Sequence, residues 1–305
     1  MSEVSFRGME ASNKRKTYLL LAGMGALVWL VVYAALTYFG SATVGIVPIA
    51  VTIALISVWG SYYASDSIVL KMTGARELQE SDNPKLFNLI HEVVIASGLP
   101  MPKVAVVVDT APNAFATGRN PEHAVIAFTT GILDVMDRDQ LQGVIAHEMS
   151  HVGNRDTLVS AVAATTAGAI AILSDMLTRM MWFSGGRRDD RDNNSNPVAL
   201  IVSLVILILA PIAAMLLKSA VSRRREALAD ATAVSFTRNP AGLRSALEVL
   251  AADSTVVRQR STAVAHIWIE SPLDGKAVSR LFATHPPIEE RIAALRAMES
   301  LGPVS

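Results

Sequence analysis

The 305-residue chain contains no cysteine, so it has neither disulfides nor thiolate metal ligands. It has only six histidines, and any metal site must take its other ligands from aspartate or glutamate. The formal net charge is zero, and without a basic excess nothing indicates nucleic-acid binding. There is no Gly-rich phosphate loop, so no nucleotide partner is predicted. Hydrophobic residues make up 51% of the chain, many of them in long apolar stretches.

Four of these stretches each approach the ~20 residues that cross the ~30 Å hydrocarbon core of a bilayer. They cover about residues 17–39, 44–64, 158–174 and 198–217. The third is rich in alanine and threonine and ends at Asp175 and Arg179, which predicts that neighbouring helices shield it from lipid. The sequence therefore predicts a four-helix transmembrane anchor. Its first hairpin follows a cytoplasmic N-terminus within residues 1–70, and its second, residues 157–217, has a flexible external loop at 184–197.

Basic residues flank these stretches on one side of the predicted membrane. Positive charge is usually retained in the cytoplasm, so both termini and the soluble parts should be cytoplasmic. The loop at 184–197 opposes this orientation weakly, because it carries three arginines, although three aspartates neutralise them. The flanking residues are Arg7, Lys14, Arg15, Lys16, Lys71, Arg76, Lys218 and the arginines at 223–225.

The run His147-Glu148-Met149-Ser150-His151 is the strongest functional signal in the chain. Histidines four residues apart share one face of a helix, so both imidazoles can bind one metal ion while Glu148 reaches a water beside it. Catalytic zinc usually takes three protein ligands and leaves one position open. The sequence therefore predicts one zinc ion per chain, with Glu148 as the general base of a peptidase.

The third ligand must be an aspartate, a glutamate or another histidine. Glu226 is the best candidate, because Glu226 and Asp230 are again four residues apart: one can bind zinc while the other holds a liganding imidazole. Two predicted spans separate Glu226 from His151, and an even number of crossings returns the chain to the same side. One crossing or three would place Glu226 on the other side of the membrane from His151 and exclude it as the third ligand.

The soluble part is predicted in two pieces, residues 71–156 and 218–305, which form one mostly helical α+β domain. Residues 103–109 and 123–129 are rich in β-branched side chains and predict strands. A helix capped by Ser81 and Asp82 should end at Gly98. The other predicted helices cover about 138–156, leading into the third span with little break, the surroundings of Glu226, the stretch after Pro240, and 287–300.

Four motifs in this order resemble the HtpX family of bacterial membrane-bound heat-shock zinc proteases, which is related to the prenyl protease Ste24 and the mitochondrial protease Oma. The resemblance covers nearly the whole chain, including the number and placement of the apolar stretches. The motifs are Asn113-Ala114-Phe115-Ala116, the histidine run at 147–151, Glu226-Ala227-Leu228-Ala229-Asp230, and Thr284-His285-Pro286-Pro287 followed by Arg291.

The resemblance implies a gluzincin-type peptidase domain that faces the cytoplasm from a bacterial inner membrane. It also implies a role in stress response and protein quality control, in which damaged or misassembled membrane proteins are cleaved. By motif position, the zinc ligands would be His147, His151 and Glu226, with Glu148 as base and Asp230 orienting a ligand. The remaining implied site residues are His285 and Arg291, which would line the site, and Asn113, Val125, Ile126, Ala127 and Phe128, which would hold the substrate backbone.

The chemistry of peptide cleavage adds two expectations. His285 is the candidate for donating a hydrogen bond to the oxyanion that forms on the scissile carbonyl. An extended peptide could bind by strand addition to an exposed edge near residues 123–128, which recognises backbone more than side chains and predicts broad specificity. The expected partners are therefore polypeptides, membrane proteins above all, and the lipid bilayer.

Two alternatives remain open. One is an intramembrane site-2-type metalloprotease, whose third ligand would be Asp274 of Leu273-Asp274-Gly275, although this polar segment is more typical of a turn. Zinc retention separates the two, because Glu226→Ala loses zinc only if Glu226 is a ligand. The other is a non-catalytic zinc-binding membrane scaffold or chaperone. It is disfavoured because structural zinc sites usually have four protein ligands and favour cysteine.

Overall fold

The computed structural model describes residues 46–157, 223–253, 268–269 and 287–300, with a few helical positions between 18 and 33. Within these residues the α-helices are α1 (Ile46–Thr73), α2 (Pro84–Ser97), α3 (Thr130–Val135), α4 (Arg138–Gly153), α5 (Arg223–Thr237), α6 (Pro240–Ala252) and α7 (Ile288–Ser300). The strands are β1 (Arg76–Leu78), β2 (Lys103–Val107), β3 (Ala114–Thr117) and β4 (Val125–Thr129), with short 3-10 turns at Glu80–Asp82 and Pro121–His123. The described part is mostly helical with one small sheet, as predicted.

The predicted helices of the soluble parts are confirmed, with shifts at their ends. The side chain of Asn83 caps α2 by accepting a hydrogen bond from the Leu86 amide, so the predicted caps Ser81 and Asp82 are wrong. The end of α2 at Gly98 is as predicted, because Gly98 adopts a left-handed φ of 68° that stops the helix.

The sheet has the strand order β1-β2-β4-β3. β2 and β4 are parallel, whereas β1 pairs with β2 and β3 pairs with β4 in antiparallel fashion. β2 and β4 lie in the two predicted strand regions. β1 and β3 are not predicted, because strands of three and four residues are too short to show a recognisable alternation.

The predicted exposed edge near residues 123–128 is wrong. β4 is an interior strand whose residues pair with β2 on one side and β3 on the other, and all five of them are buried. The backbones of Val125, Ile126, Ala127 and Phe128 therefore have no open edge to which a substrate strand could add. Within the described sheet, β3 is the outer strand on this side.

The sheet separates two hydrophobic clusters. On one face, Val69 near the end of α1 packs with Phe115 and Trp268. On the other face, side chains of α2, α4, α6 and α7 form the larger cluster, and α4 contacts β3. The helix that carries the histidines is therefore fixed against the β3 side of the sheet.

Local sequence defines both ends of α4. At its start, the Asp137 side chain accepts a hydrogen bond from the Gln140 amide, and the Gln140 side chain accepts one from the Asp137 amide. At its end, Asn154 and Arg155 form a turn in which Arg155 has a left-handed φ of 58°. The helix thus stops at Gly153, and a two-residue turn separates it from the helical residues Asp156 and Thr157. The passage into residues 158–174 lies outside the described residues and stays a prediction.

The predicted spans fall mainly outside the described residues. Residues 158–174 and 198–217, the loop at 184–197 and most of 17–39 are not among them. The second predicted span, 44–64, coincides with the first part of α1 from Ile46 onward. Among the residues that the structure describes, no helix is both long and apolar enough to cross a membrane.

Candidate metal centre

Two histidines and a glutamate meet where α4 packs against α5. His147 and His151 lie one turn apart on α4, with their Nε2 atoms 3.2 Å apart. Glu226, in the first turn of α5, places one carboxylate oxygen 3.5 Å from His147 Nε2 and the other 3.6 Å from His151 Nε2. The predicted ligand set is therefore brought together by elements that come from both soluble parts of the chain.

The three side chains fit a metal ion. Ligand atoms about 2.0–2.2 Å from a tetrahedral zinc ion lie roughly 3.3–3.6 Å from one another. The two histidine nitrogens are 3.2 Å apart, and each has a Glu226 oxygen 3.5 or 3.6 Å away, although these are different oxygens of the carboxylate. With one ligand atom from each residue, all three lie within 4.8 Å of one another, and the group could hold a metal ion. Glu148, the neighbour of His147, is buried beside them.

Asp230 orients His147. One Asp230 oxygen accepts a hydrogen bond from His147 Nδ1 at 2.9 Å, which leaves Nε2 for a metal. Arg291 of α7 donates to both Asp230 oxygens, at 2.7 and 2.9 Å. Burial raises the pKa of Asp230, but Arg291 and His147 outweigh burial and lower this pKa to about 2. Burial lowers the pKa of Arg291, but the surrounding carboxylates, Asp230 foremost, reverse this and raise it, so both groups are charged at neutral pH.

His147 also holds a proton firmly. Burial and the charge of Arg291 lower its pKa, but hydrogen bonds with Asp230 and Glu226 outweigh them and raise the pKa to about 9. A metal ligand must be the neutral imidazole. Metal binding at this centre therefore displaces a proton from His147.

Sequence reasoning missed a second carboxylate, which lies against His151. Asp156 Oδ2 is 3.2 Å from His151 Nδ1, and Arg225 Nη1 lies 3.5 Å from the backbone carbonyl oxygen of the same aspartate. The signal that could have identified Asp156 is its position five residues after His151, where a histidine-bearing helix approaches its end. The direction of its side chain depends on the turn at Arg155, which the sequence does not reveal.

Comparison with known proteins decides the family. Residues 80–299, more than half of the chain, match Peptidase family M48, and the match includes every residue of this centre. The chain belongs to peptidase family M48.

Relatives of this M48 member carry the name that the motifs suggested. The chain is 42% identical over 300 residues to the "Protease HtpX homolog" of Thermoanaerobacter pseudethanolicus, and the match covers 98% of this chain and 99% of the relative. It is 45% identical over 291 residues to the "Protease HtpX homolog" of Syntrophobacter fumaroxidans, covering 94% and 99%. The resemblance to HtpX proteases is therefore confirmed.

A solved structure supports the fold of this M48 chain. The crystal structure of S. mikatae Ste24p matches it with a TM-score of 0.51 at 17% sequence identity. The match covers 94% of this chain and 66% of that chain. At so low an identity the likeness concerns the fold alone.

Asn113 opens the strand that flanks the M48 centre. Its amide donates to Thr129 Oγ1 at 2.8 Å, its carbonyl accepts from the Thr129 amide at 2.9 Å, and its side-chain oxygen accepts from the Ala114 amide at 3.0 Å. These bonds fix the start of β3 against β4. The substrate-binding role of Asn113 stays a prediction.

Among the described residues, Ile269 pairs with the outer edge of β3. The Ile269 amide donates to the Ala114 carbonyl at 2.9 Å, and the fully buried Trp268 packs edge-on against Phe115 with ring centroids 4.8 Å apart. Backbone groups of alternate residues point to opposite edges of a strand. Ala116 is therefore the next position of β3 whose backbone groups face outward.

Two other predicted site residues have different outcomes. Arg291 is brought into the centre, where it binds Asp230 and lies 3.5 Å from a Glu226 oxygen. His285 lies outside the described residues, as does Asp274 of the alternative ligand motif.

Proposed function

We propose that the chain is a membrane-integrated, zinc-dependent endopeptidase that cleaves damaged or misfolded membrane proteins in a bacterial stress response. The observation that carries the proposal is the convergence of His147, His151 and Glu226, with Glu148 buried beside them. Three protein ligands are typical of catalytic zinc, which keeps a coordination position open, whereas structural zinc usually has four. The three-residue donor set found among the described residues therefore favours catalysis over a scaffold role.

Zinc, when bound, supplies Lewis acidity that activates a water molecule and polarises the scissile carbonyl. Glu148 takes a proton from the attacking water and later delivers one to the leaving amine. Asp230 keeps the His147 proton on Nδ1, so Nε2 stays available as a ligand. His285 remains our proposed hydrogen-bond donor to the oxyanion.

The proposed substrate is an extended polypeptide that adds to the outer edge of β3. This strand lies against α4, and its position Ala116 turns backbone groups outward beyond the Ile269 contact at Ala114. Strand addition relies on main-chain hydrogen bonds and so accepts many sequences. Broad specificity suits an enzyme that removes damaged proteins.

The membrane part of the proposal is supported by the four apolar stretches and by α1. In this helix Val51, Leu55, Ile56 and Trp59 are exposed by 41–66%. A contiguous exposed apolar surface of this kind is typical of a membrane or protein interface. Because the end of α1 packs against β3, the strand that also contacts α4, the metal centre would lie close to the bilayer, within reach of membrane-protein substrates. The basic flanks favour the cytoplasmic face.

Glu148→Gln tests this proposal with the smallest change in shape. Purified in detergent, the variant should bind one zinc ion per chain but cleave an unfolded protein such as casein about 10²–10⁴-fold more slowly, because a positioned general base contributes roughly that factor. Glu289→Gln, at an exposed position of α7, is the matched control and should cleave like the wild type. Undiminished cleavage by Glu148→Gln would refute the base assignment. A wild type that binds zinc but cleaves nothing would favour the scaffold.

A further inference from the structure

His151 lies against Asp156, which in turn contacts Arg225. The arrangement parallels that of His147, which lies against Asp230, the partner of Arg291. Asp156 Oδ2 lies 3.2 Å from His151 Nδ1, while His151 Nε2 faces Glu226 at 3.6 Å. A hydrogen bond from Nδ1 to Asp156 fixes the tautomer in which Nε2 carries the free lone pair. The ring is therefore oriented for metal binding by a residue outside the three ligands.

The backbone is built to bring Asp156 to this place. After α4 ends at Gly153, the Asn154 amide bonds the Ser150 carbonyl oxygen, and Arg155 adopts a left-handed φ of 58°. Arginine rarely adopts this conformation, which persists only where surrounding contacts determine it. The turn directs the next residue, Asp156, back toward the helix, where it is only 2% exposed.

Arg225 links this aspartate to the second ligand-bearing helix. Its Nη1 lies 3.5 Å from the Asp156 carbonyl oxygen and 3.8 Å from the Asp156 carboxylate. Arg225 directly precedes Glu226 at the start of α5. The contact therefore connects the end of α4, which carries His151, with the start of the helix that carries the third ligand.

We propose that Asp156, held by Arg225, is a positioning residue that orients His151 and sets the metal affinity of the centre. This inference rests on the proposed zinc peptidase function. Asp156 acts through His151 and does not touch the substrate. The contacts of Asp156 with Arg225 are longer than those of Asp230 with Arg291. Loss of Asp156 should therefore lower the zinc affinity more than loss of Arg225.

The test compares zinc dissociation constants of full-length variants in detergent, measured by competition with a chromophoric chelator. Asp156→Ala should weaken zinc binding about 10–100-fold, the usual effect of removing a carboxylate behind a liganding histidine. Asp156→Asn should lose less, because its amide oxygen can still accept the Nδ1 proton. Arg225→Gln should lose less than Asp156→Ala. Asp139→Ala removes an exposed aspartate from the same helix and should bind zinc like the wild type.

Each outcome bears on one of the two proposals. If Asp156→Ala binds zinc as tightly as Asp139→Ala, the positioning role is overturned while the zinc site stands. Equal losses in Asp156→Ala and Asp156→Asn would also overturn it, since the hydrogen bond would then not be the cause. If Asp156→Ala fails to fold, Asp156→Asn is compared with Asp139→Ala. Weaker zinc binding by Asp156→Asn supports the positioning role, because a neutral amide is a poorer acceptor than a carboxylate, and equal binding overturns it. Absence of zinc binding in both wild type and Asp139→Ala would overturn the proposed function and this inference with it.

Discussion

Arg291 is the buried cation that balances the carboxylates of the metal centre. It is 4% exposed, binds both oxygens of Asp230 and lies 3.5 Å from a Glu226 oxygen. Two carboxylates in one buried site repel each other unless a cation lies between them. Removing one partner of such a cluster leaves an uncompensated buried charge, which costs more than the cluster itself contributes to stability.

Arg291→Ala should therefore lower the free energy of unfolding by about 3–5 kcal/mol. Arg291→Lys should lie between this variant and the wild type, because lysine keeps the charge but not the two-pronged geometry. Urea unfolding of the full-length protein in detergent measures both effects. The control is Arg296→Ala on the same helix: its side chain is 65% exposed and pairs with Glu248, so it should cost at most about 1 kcal/mol. Equal losses of unfolding free energy in Arg291→Ala and Arg296→Ala would contradict the role of Arg291 as a buried counter-charge.

The sequence predicts some of these residues better than others. His147 and His151 could be assigned because a spacing of four within one helix determines which side chains share a face. Arg291 is connected to the centre only by tertiary packing of α7, and it entered the prediction through the resemblance alone. Asp156 was missed because its direction depends on the left-handed turn at Arg155.

At the scale of elements, α4 and α6 approach each other until their backbones touch. A Cβ atom added to Gly143 would lie 2.7 Å from the Leu243 backbone, and one added to Gly242 would lie 2.7 Å from the Asp139 carbonyl oxygen. Such distances are too short for any real contact. The two glycines therefore set the separation of the helices one turn before His147.

Gly143→Ala should push α6 away from α4 and destabilise the protein by about 1–3 kcal/mol, the usual cost of overpacking. Because the shift falls one turn before His147 and Glu148, cleavage of casein should also slow. Gly153→Ala is the matched control: it lies on the same helix, and its Cβ would meet only the mobile end of the Leu99 side chain at 3.2 Å. The unfolding free energies of the two variants are the measurement, and equal values would show that the backbone contact is not close.

Helix ends in this chain follow from the sequence where the signal is local. The ends of α2 and α6 follow from Gly98 and Asn239, which act within a few residues of their own position. The position of β4 in the sheet does not follow from its own residues, since strand order is decided by pairing with β2 and β3. The exposed edge was therefore assigned to the wrong strand.

At the scale of the whole molecule, residues 158–222 separate two parts that pack as one domain. α4 from the first part lies against α5 and α6 from the second, and the ligand set draws on both. Both parts must therefore lie on the same side of any membrane that the intervening residues cross. This requires an even number of crossings between His151 and Glu226, as the two apolar stretches there predict.

The absence of cysteine makes this topology measurable, because a single introduced cysteine is a unique label. Ser81→Cys and Ser300→Cys place a thiol at exposed positions of the first and second parts, and Ser195→Cys places one in the predicted external loop. In intact spheroplasts, a membrane-impermeant maleimide should label only Ser195→Cys, and the other two should react once the membrane is opened. If Ser81→Cys and Ser300→Cys react from different sides of the membrane, an even number of crossings between the two parts is contradicted. Labelling of 81 and 300 before the membrane is opened would place the metal centre outside the cytoplasm, because both positions belong to the domain that holds His147 and Glu226.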